Sequence, residues 1–353
     1  MATYGVVHAP DADGAGAMWV FQKFVPDIKI LTSNYGIHHY IEKELLESAD
    51  MVYYGDFCPP PEFLDKLKKA GIKYQVLDHH ATSEAAVAKF DSEHGTNLMS
   101  SCTFNNNMSG ALVAWYHFSN DEPPKLLKWI DKIDRYTWET DENEDPRAKV
   151  LNYYLSGIKP SKMESFNKIM NLFTELGDEG AEQWLMDRAE TLKEKADEDC
   201  SYLAKVSYEF TIDGTKVLAS NAASAMTNYL GEMLYKKDSN YGVGCVYQID
   251  PMQGVAKLSF RGPGSADLAK RVYNIRRDRD GNVILDSNGQ PKKNYGGGHG
   301  PAAACAVNLK EKTYPDQITF EDILATARRP ELACEIPGTG TRKSSLNRLS
   351  QRG

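Results

Sequence analysis

The chain lacks most features that would tie it to a membrane, to an oxidising compartment or to long nucleic acid. No apolar run approaches the ~18–20 residues of a membrane span, and the start has no basic segment followed by an apolar one, so neither a span nor a secretory signal is expected. The six cysteines, Cys58, Cys102, Cys200, Cys245, Cys305 and Cys334, are scattered without a Cys-x-x-Cys pair. In a chain of 353 residues this excludes a disulfide scaffold and predicts reduced thiols in a cytoplasmic protein. Basic residues do not prevail: 41 Lys and Arg stand against 49 Asp and Glu, a formal net charge of −8. That argues against the broad basic surface that binding to long nucleic acid requires. A short anionic substrate, held by metal ions and a few local cations, is compatible with it. Repeats and low-complexity tracts are absent too. Neither glycine-rich stretch, 295–301 or 338–345, has the Lys-Ser/Thr spacing of a phosphate-binding Walker loop. The start of a calcium loop at Asp278-x-Asp280 lacks the glycine at the sixth position and reads as a hairpin turn.

What is present is an alternation of strand and helix patterns in the first half. Strands are expected at 4–8, 29–32, 51–56 and 73–80, with helices near 17–24, 41–48 and 62–71 between them. Such alternation predicts an α/β fold with a mostly parallel, doubly wound sheet, which binds ligands outside the carboxyl ends of its strands. From 109 to about 203 the pattern is helical. Beyond a break near 199–206 it turns to strands around a helix at 223–237, with a final core strand at 302–308. The expected organisation is a catalytic domain over 1–200, a smaller mixed α/β domain over 205–310 with a ribbon inserted at 276–294, and an extension over 311–353. The active site would lie in the cleft between the domains. The tail after Glu335, rich in Gly, Ser and Arg, has the composition of a disordered segment.

Acidic and histidine clusters gather at the expected strand ends. His8, Asp11 and Asp13 share one tight turn, where they could meet around a cation or simply bond local backbone. Asp56 follows an apolar run and could equally be a helix cap. Asp78-His79-His80 ends another strand; adjacent histidines cannot both face a core, and each ring can bind metal through one nitrogen and be oriented through the other. Asp131 and Asp134 lie three apart on a helix, where the plain alternative is pairing with Lys132 and Arg135. In the second half, Gly296-Gly297-Gly298-His299 lets the backbone approach a ligand closely and is followed by a strand of small residues. The pair His38-His39, with His94 and His117, carries no such context and is given no role.

Together, from about Tyr4 to about Asn308 and in this order, these pieces resemble the DHH phosphoesterase family with its C-terminal DHH-associated domain. The His8–Gly14 turn is similar to the first family motif, Asp56 to the second, and Asp78-His79-His80 to the third. Ser109–Phe118 followed by Asp134 is similar to the fourth. Gly296–His299 is similar to the hallmark of the associated domain, and Leu258–Gly262 to the strand before it. One spacing departs: His8 and Asp11 are three apart, where many relatives place them one residue further. The resemblance implies two divalent ions, Mn²⁺ first, with Mg²⁺ or Co²⁺ as other fits. His8, Asp11 and Asp56 would hold one ion and Asp13, Asp56, His79 and Asp134 the other. It implies that Asp78 orients its neighbours and that His80 lies near the phosphate. Arg261 and Gly296–His299 would bind the substrate's anionic or nucleotide end. It further implies hydrolysis of short oligonucleotides or small phosphorylated nucleotides, pGpG and 3′,5′-bisphosphonucleotides among them. No long-duplex or membrane partner is expected, and a homodimer is compatible. A pyro- or polyphosphatase and a catalytically weak nucleotide-binding sensor are the alternatives.

Overall fold

The computed structural model describes residues 2–9, 11–35, 37–135, 137, 146–223, 226–237, 241–251, 254–275, 282–285, 289–291, 293–299, 302–309 and 319–327. At 273–275, 293–295 and 297–299 it describes the backbone alone. The first half runs β1 (Thr3–His8), α1 (Ala12–Phe24), β2 (Lys29–Ser33), α2 (Glu42–Ser48), β3 (Met51–Gly55), α3 (Pro61–Lys69), β4 (Lys73–Asp78), α4 (Ala81–His94) and β5 (Cys102–Phe104). Four helices follow: α5 (Gly110–Phe118), α6 (Lys125–Asp134), α7 (Pro146–Leu155) and α8 (Met163–Lys205). The second half runs β6 (Tyr208–Ile212), β7 (Thr215–Asn221), α9 (Thr227–Lys236), β8 (Gly244–Asp250), β9 (Val255–Arg261) and α10 (Ser265–Arg271). It ends with β10 (Tyr273–Ile275), β11 (Lys293–Tyr295), β12 (Gly297–His299), β13 (Ala302–Asn308) and α11 (Phe320–Ala325).

The first sheet is ordered β2-β1-β3-β4-β5, and every pairing in it is parallel. Its inner strands are buried on both faces, as parallel strands usually are. Val7 and Leu77 pack under α1 and α5–α8, while Tyr4, Val6, Val52, Tyr54 and Val76 pack under α2–α4. Neighbouring residues Val6 and Val7 thus serve opposite cores, the period-two consequence of a pleated strand. The doubly wound sheet expected from the sequence is what forms. In this strand order the chain leaves β1 in opposite directions, and a crevice opens at the carboxyl ends of β1 and β3. The sequence pattern did not mark β5, whose three residues are too few to show a period.

The second sheet, β12-β13-β9-β8-β7-β6, is mixed, with β7–β8 its parallel pair. One face packs on α10 and α11, the other on α9 and the last turns of α8. The last helix of the first half ends at Lys205, inside the break expected near 199–206. The ribbon expected at 276–294 is bounded by the antiparallel pair β10–β11, and a bridge joins Leu285 to Pro291; residues 276–281, 286–288 and 292 lie outside the described residues. So does the tail beyond 327. Among the described residues no helix is long and apolar enough to cross a membrane.

Candidate metal centre

The turn after β1 is shaped by its own polar side chains. Asp11 caps α1, its carboxylate accepting from the Gly14 N–H at 3.1 Å, and this leaves it part-exposed at the crevice. Asp13, one position into the helix, is 1% exposed and bonds elsewhere: it accepts from the Gly110 and Ala111 N–H groups at 2.7 and 2.9 Å. These are free donors at the first turn of α5, where a negative charge is favoured. Asp56 follows β3 with a left-handed backbone (φ 53°), an uncommon conformation that Asp tolerates better than most residues. That turn swings its carboxylate toward both β1 and β4.

Its two oxygens face different histidines. Oδ2 lies 3.4 Å from His8 Nδ1, and Oδ1 lies 3.3 Å from His79 Nε2. Around them, among the described residues, the structure gathers three sets whose ligand-type atoms all lie within 4.8 Å of one another: His8, Asp11 and Asp56; Asp13, His79 and Asp134; and Asp56, Asp78, His79 and His80. His8 Nδ1 is 3.3 Å from Asp11 Oδ2, and His79 Nε2 is 3.4 Å from Asp134 Oδ2. The short spacing of His8 and Asp11 therefore does not separate them.

Asp78, fully buried at the end of β4, organises its own motif. Its Oδ1 accepts from the His79 N–H at 2.8 Å and from His80 Nδ1–H at 2.7 Å. Bonding to a carboxylate fixes the proton of His80 on Nδ1. The other helical pair divides: Asp134 reaches the centre, whereas Asp131 accepts from the Ser109 N–H at 2.6 Å and takes a two-pronged bond from Arg135. Asp131 thus ties α6 to the start of α5 and stays out of the centre.

Three nearly dry carboxylates beside two histidines make a site short of positive charge. Burial opposes a charge on His8, but Asp11 and Asp56 outweigh it and raise its pKa well above the imidazole range. Burial likewise opposes a charge on His79, yet Asp56, Asp134 and Asp13 push it up to about 11. Burial would raise Asp56, but His79 and His8 hold it far below the carboxylate range. Burial raises Asp13, helped by Asp56 and Asp134, and burial brings Asp134 to about 7. His8 adds a sharper indication. Its Nε2 meets Asn34 Oδ1 at 3.1 Å, and that oxygen also accepts the Tyr35 N–H at 2.8 Å. The Asn34 atom is therefore an acceptor, and Nε2 must carry the proton. A neutral His8 then aims the lone pair of Nδ1, which has no hydrogen-bond partner, at two carboxylates. A cation between them resolves that repulsion, and the carboxylate–imidazole donor set suits Mn²⁺ and ions like it.

Without a metal the protonated histidines must do this work, and pH should then control stability. A raised folded-state pKa stabilises the fold fully below the unfolded value, 6.5 for His79, and that contribution is lost as pH climbs through about 11. Urea unfolding in EDTA is expected to show stability falling from pH 7 to pH 10, with a shallower fall in His79→Gln. Equal slopes in the two proteins would contradict the pairing.

The centre opens onto a cavity of about 340 Å³ lined by Asp11, Asp13 and Asp134 on one side and by Asn228, Arg261 and Ala302 on the other. Arg261 ends β9, and its Nε and Nη2 donate to Asn228 Oδ1 at 3.1 and 2.6 Å. His299 pairs with Ala302, and Ala302 with Arg261, so the three occupy one row across β12, β13 and β9. Gly296 sits where a Cβ would come within 2.6 Å of Cys305 Cβ and of the Ala269 and Ala304 carbonyl oxygens, so only glycine fits. Of Gly297, Gly298 and His299 the backbone alone is described. Sequence reasoning missed Asn34, which orients His8, and Asn152, whose buried amide lacks a hydrogen-bond partner at the cavity wall. Asn34 had a signal: it follows β2 at the same sheet edge as every other polar cluster.

No protein-family model and no curated protein matches the chain. Among solved structures it is similar to an uncharacterized protein from Helicobacter pylori G27, at 16% identity over 92% of this chain and 97% of that one, with a TM-score of 0.38. It is similar to RecJ from Thermus thermophilus in complex with Mn²⁺, at 15% identity over 86% of this chain, with a TM-score of 0.42. The alignment spans 49% of that RecJ, about half its length. It is similar as well to PggH from Vibrio cholerae, a pGpG-specific phosphodiesterase, at 12% identity over 87% of this chain and 94% of that one, with a TM-score of 0.42.

Proposed function

We propose that this chain is a metal-dependent phosphodiesterase of the DHH type that hydrolyses short oligonucleotides, linear dinucleotides such as pGpG among them, to nucleoside monophosphates. The observation that carries the reading is Asp56: its two oxygens face two sets of ligand-type side chains, and both sets border a cavity walled on its far side by Arg261. His8, Asp11 and Asp56 would hold one divalent ion, and Asp13, Asp56, His79 and Asp134 a second. Two such ions, Mn²⁺ by preference, would supply Lewis-acid activation of water and neutralise charge on the phosphate. Asp78 positions His79 and His80. With its proton fixed on Nδ1, His80 can exchange a proton with the phosphate side of the site through Nε2. Arg261, steadied by Asn228, and the Gly296–His299 row bind the anionic end across the cavity. A cleft walled at both ends suits short strands, and the acidic net charge and scattered cysteines suit a cytoplasmic enzyme of that kind.

Purified protein with Mn²⁺ should release mononucleotides from pGpG and from short RNA in a panel that includes 3′,5′-bisphosphonucleotide and pyrophosphate. Turnover of pyrophosphate alone would overturn the proposal. A narrower expectation concerns Asn34. Replacing it by Leu removes the acceptor that fixes the His8 tautomer, and loss of such an orienting partner costs about 10–100-fold in metal affinity. Calorimetric titration with Mn²⁺ reads this directly; an unchanged first binding constant would remove Asn34 from the centre.

A further inference from the structure

The centre borders a second cavity, which shares no residue with the one at Arg261. Tyr35 and Phe57 form the common wall. Tyr35 meets the His8 and His80 rings edge-on at 5.5 and 5.7 Å, and Phe57 stacks on His8 at 6.3 Å. Both also line a cavity of about 630 Å³, within the range of small-molecule sites. Tyr35, Phe57, Phe63 and the prolines of the 59–61 turn give it an aromatic and proline surface, with Glu62, Thr82 and Ser83 also in the lining.

His38 is a buried polar group set into that wall. It is 3% exposed, stacked on Phe57 at 5.7 Å and edge-on to Phe63 at 4.8 Å. Neither ring nitrogen has a hydrogen-bond partner; the nearest carboxylate oxygen, on Glu42, is 3.6 Å away. Burial brings its pKa down to about 4 despite Glu42, so the ring is neutral and offers one N–H and one lone pair. Lys66 also lines the cavity but is paired with Glu42 at 3.4 Å, so a phosphate here would compete with a carboxylate for its cation. One wall residue comes from the other half of the chain: Ile284, carried on the inserted ribbon.

We infer that this cavity is a nucleobase subsite, taking the base on the side of the scissile phosphodiester opposite the nucleotide held at Arg261. Tyr35 and Phe57 supply the stacking surface, His38 a donor–acceptor edge, and Ile284 the closing wall. Two features select a base over other occupants. The cavity shares its wall with the centre, so its occupant lies within one nucleoside of the reacting phosphate. Its aromatic surface beside the neutral His38 suits a planar heterocycle, and with Glu42 and Glu62 in the lining and Lys66 paired to Glu42 it offers little to a second phosphate. The ribbon thereby acquires a role: it carries the residue that closes the subsite.

The inference rests on the phosphodiesterase reading, and a binding experiment separates the two. The full chain with Mn²⁺ is titrated calorimetrically with a non-hydrolysable methylenephosphonate-linked diadenosine dinucleotide and with its two analogues, each lacking one base. For wild type, one analogue is expected to bind about tenfold more weakly than the intact dinucleotide, the scale of one base–aromatic stack. Tyr35→Ala and Ile284→Asp, both at part-exposed positions, should lose that tenfold for the intact dinucleotide and not for that analogue. Three results would overturn the subsite: no binding to wild type, equal affinity for all three ligands, or variants that keep the wild-type discrimination. Nothing is cleaved in this titration. Failure to hydrolyse any phosphodiester in the substrate panel would sink the enzymatic reading and leave the base discrimination still measurable.

Discussion

Asn in place of Asp56 is expected to lower kcat on a short oligonucleotide by about 10²–10³-fold, the scale of removing one electrostatic stabiliser of a transition state, with the fold left standing. The backbone argument comes first. Asp56 occupies the left-handed region, which Asn tolerates as well as Asp, and its N–H bonds the Leu77 carbonyl at 3.0 Å independently of the side chain. The substitution is therefore close to a pure removal of charge. The side chain cannot be replaced in function by an amide. Asp56 turns one oxygen to His8 and the other to His79, and an amide must present an NH₂ to one of them. Metal stoichiometry should fall along with kcat, which calorimetry in Mn²⁺ reads separately from turnover. Unchanged turnover in Asp56→Asn would remove the catalytic assignment and leave a nucleotide-binding sensor as the better description.

The sequence carried β1 to β4 of the first sheet well because these strands are long enough to show a pattern and end in polar residues at the same edge. That edge holds His8, Asp56 and the Asp78–His80 motif, and parallel pairing of β1, β3 and β4 brings them together. Spacing alone did not separate Asp131 from Asp134: both are aspartates on one helix, three apart, and the first is bound by the Ser109 N–H and Arg135. Only the path of α5 against α6 tells them apart, and no periodicity encodes that path. His38 was passed over for a similar reason. A histidine with no aspartate neighbour and no strand-end position gave no signal, and its setting is made by Phe57 and Phe63, some twenty residues on. Asn152 and Asn228 face the site from helices whose patterns show a buried stripe and nothing of what stands opposite it. What stayed hidden was contact between elements distant in the chain, which depends on tertiary packing.

The same packing makes Gly110 a position where a single methyl group should damage the centre directly. A Cβ there would lie 2.5 Å from both Cα and Cβ of Asp56, too close for any real pair of atoms. The obstacle is backbone at the end of β3, anchored by pairing on both sides, and cannot rotate aside as a long side chain would. Helix α5 must therefore move instead. Its first two N–H groups hold Asp13, and Ala111 packs against α1 at Gly16, where no Cβ could be accommodated either. Shifting α5 thus loosens the grip on Asp13 and displaces Asp56 in one movement. Gly110→Ala is expected to cost about 1–3 kcal/mol in urea unfolding, the usual scale for overpacking a core. Mn²⁺ affinity should fall in the same variant, because both sets of ligand-type side chains are disturbed. Gly157→Ala, where the added Cβ meets only the Tyr154 carbonyl oxygen at 3.4 Å, serves as the comparison and should change neither quantity appreciably. If Gly110→Ala matched Gly157→Ala in both stability and Mn²⁺ affinity, α5 would have room to yield, and the close approach of Gly110 to Asp56 would not be what holds the centre in shape.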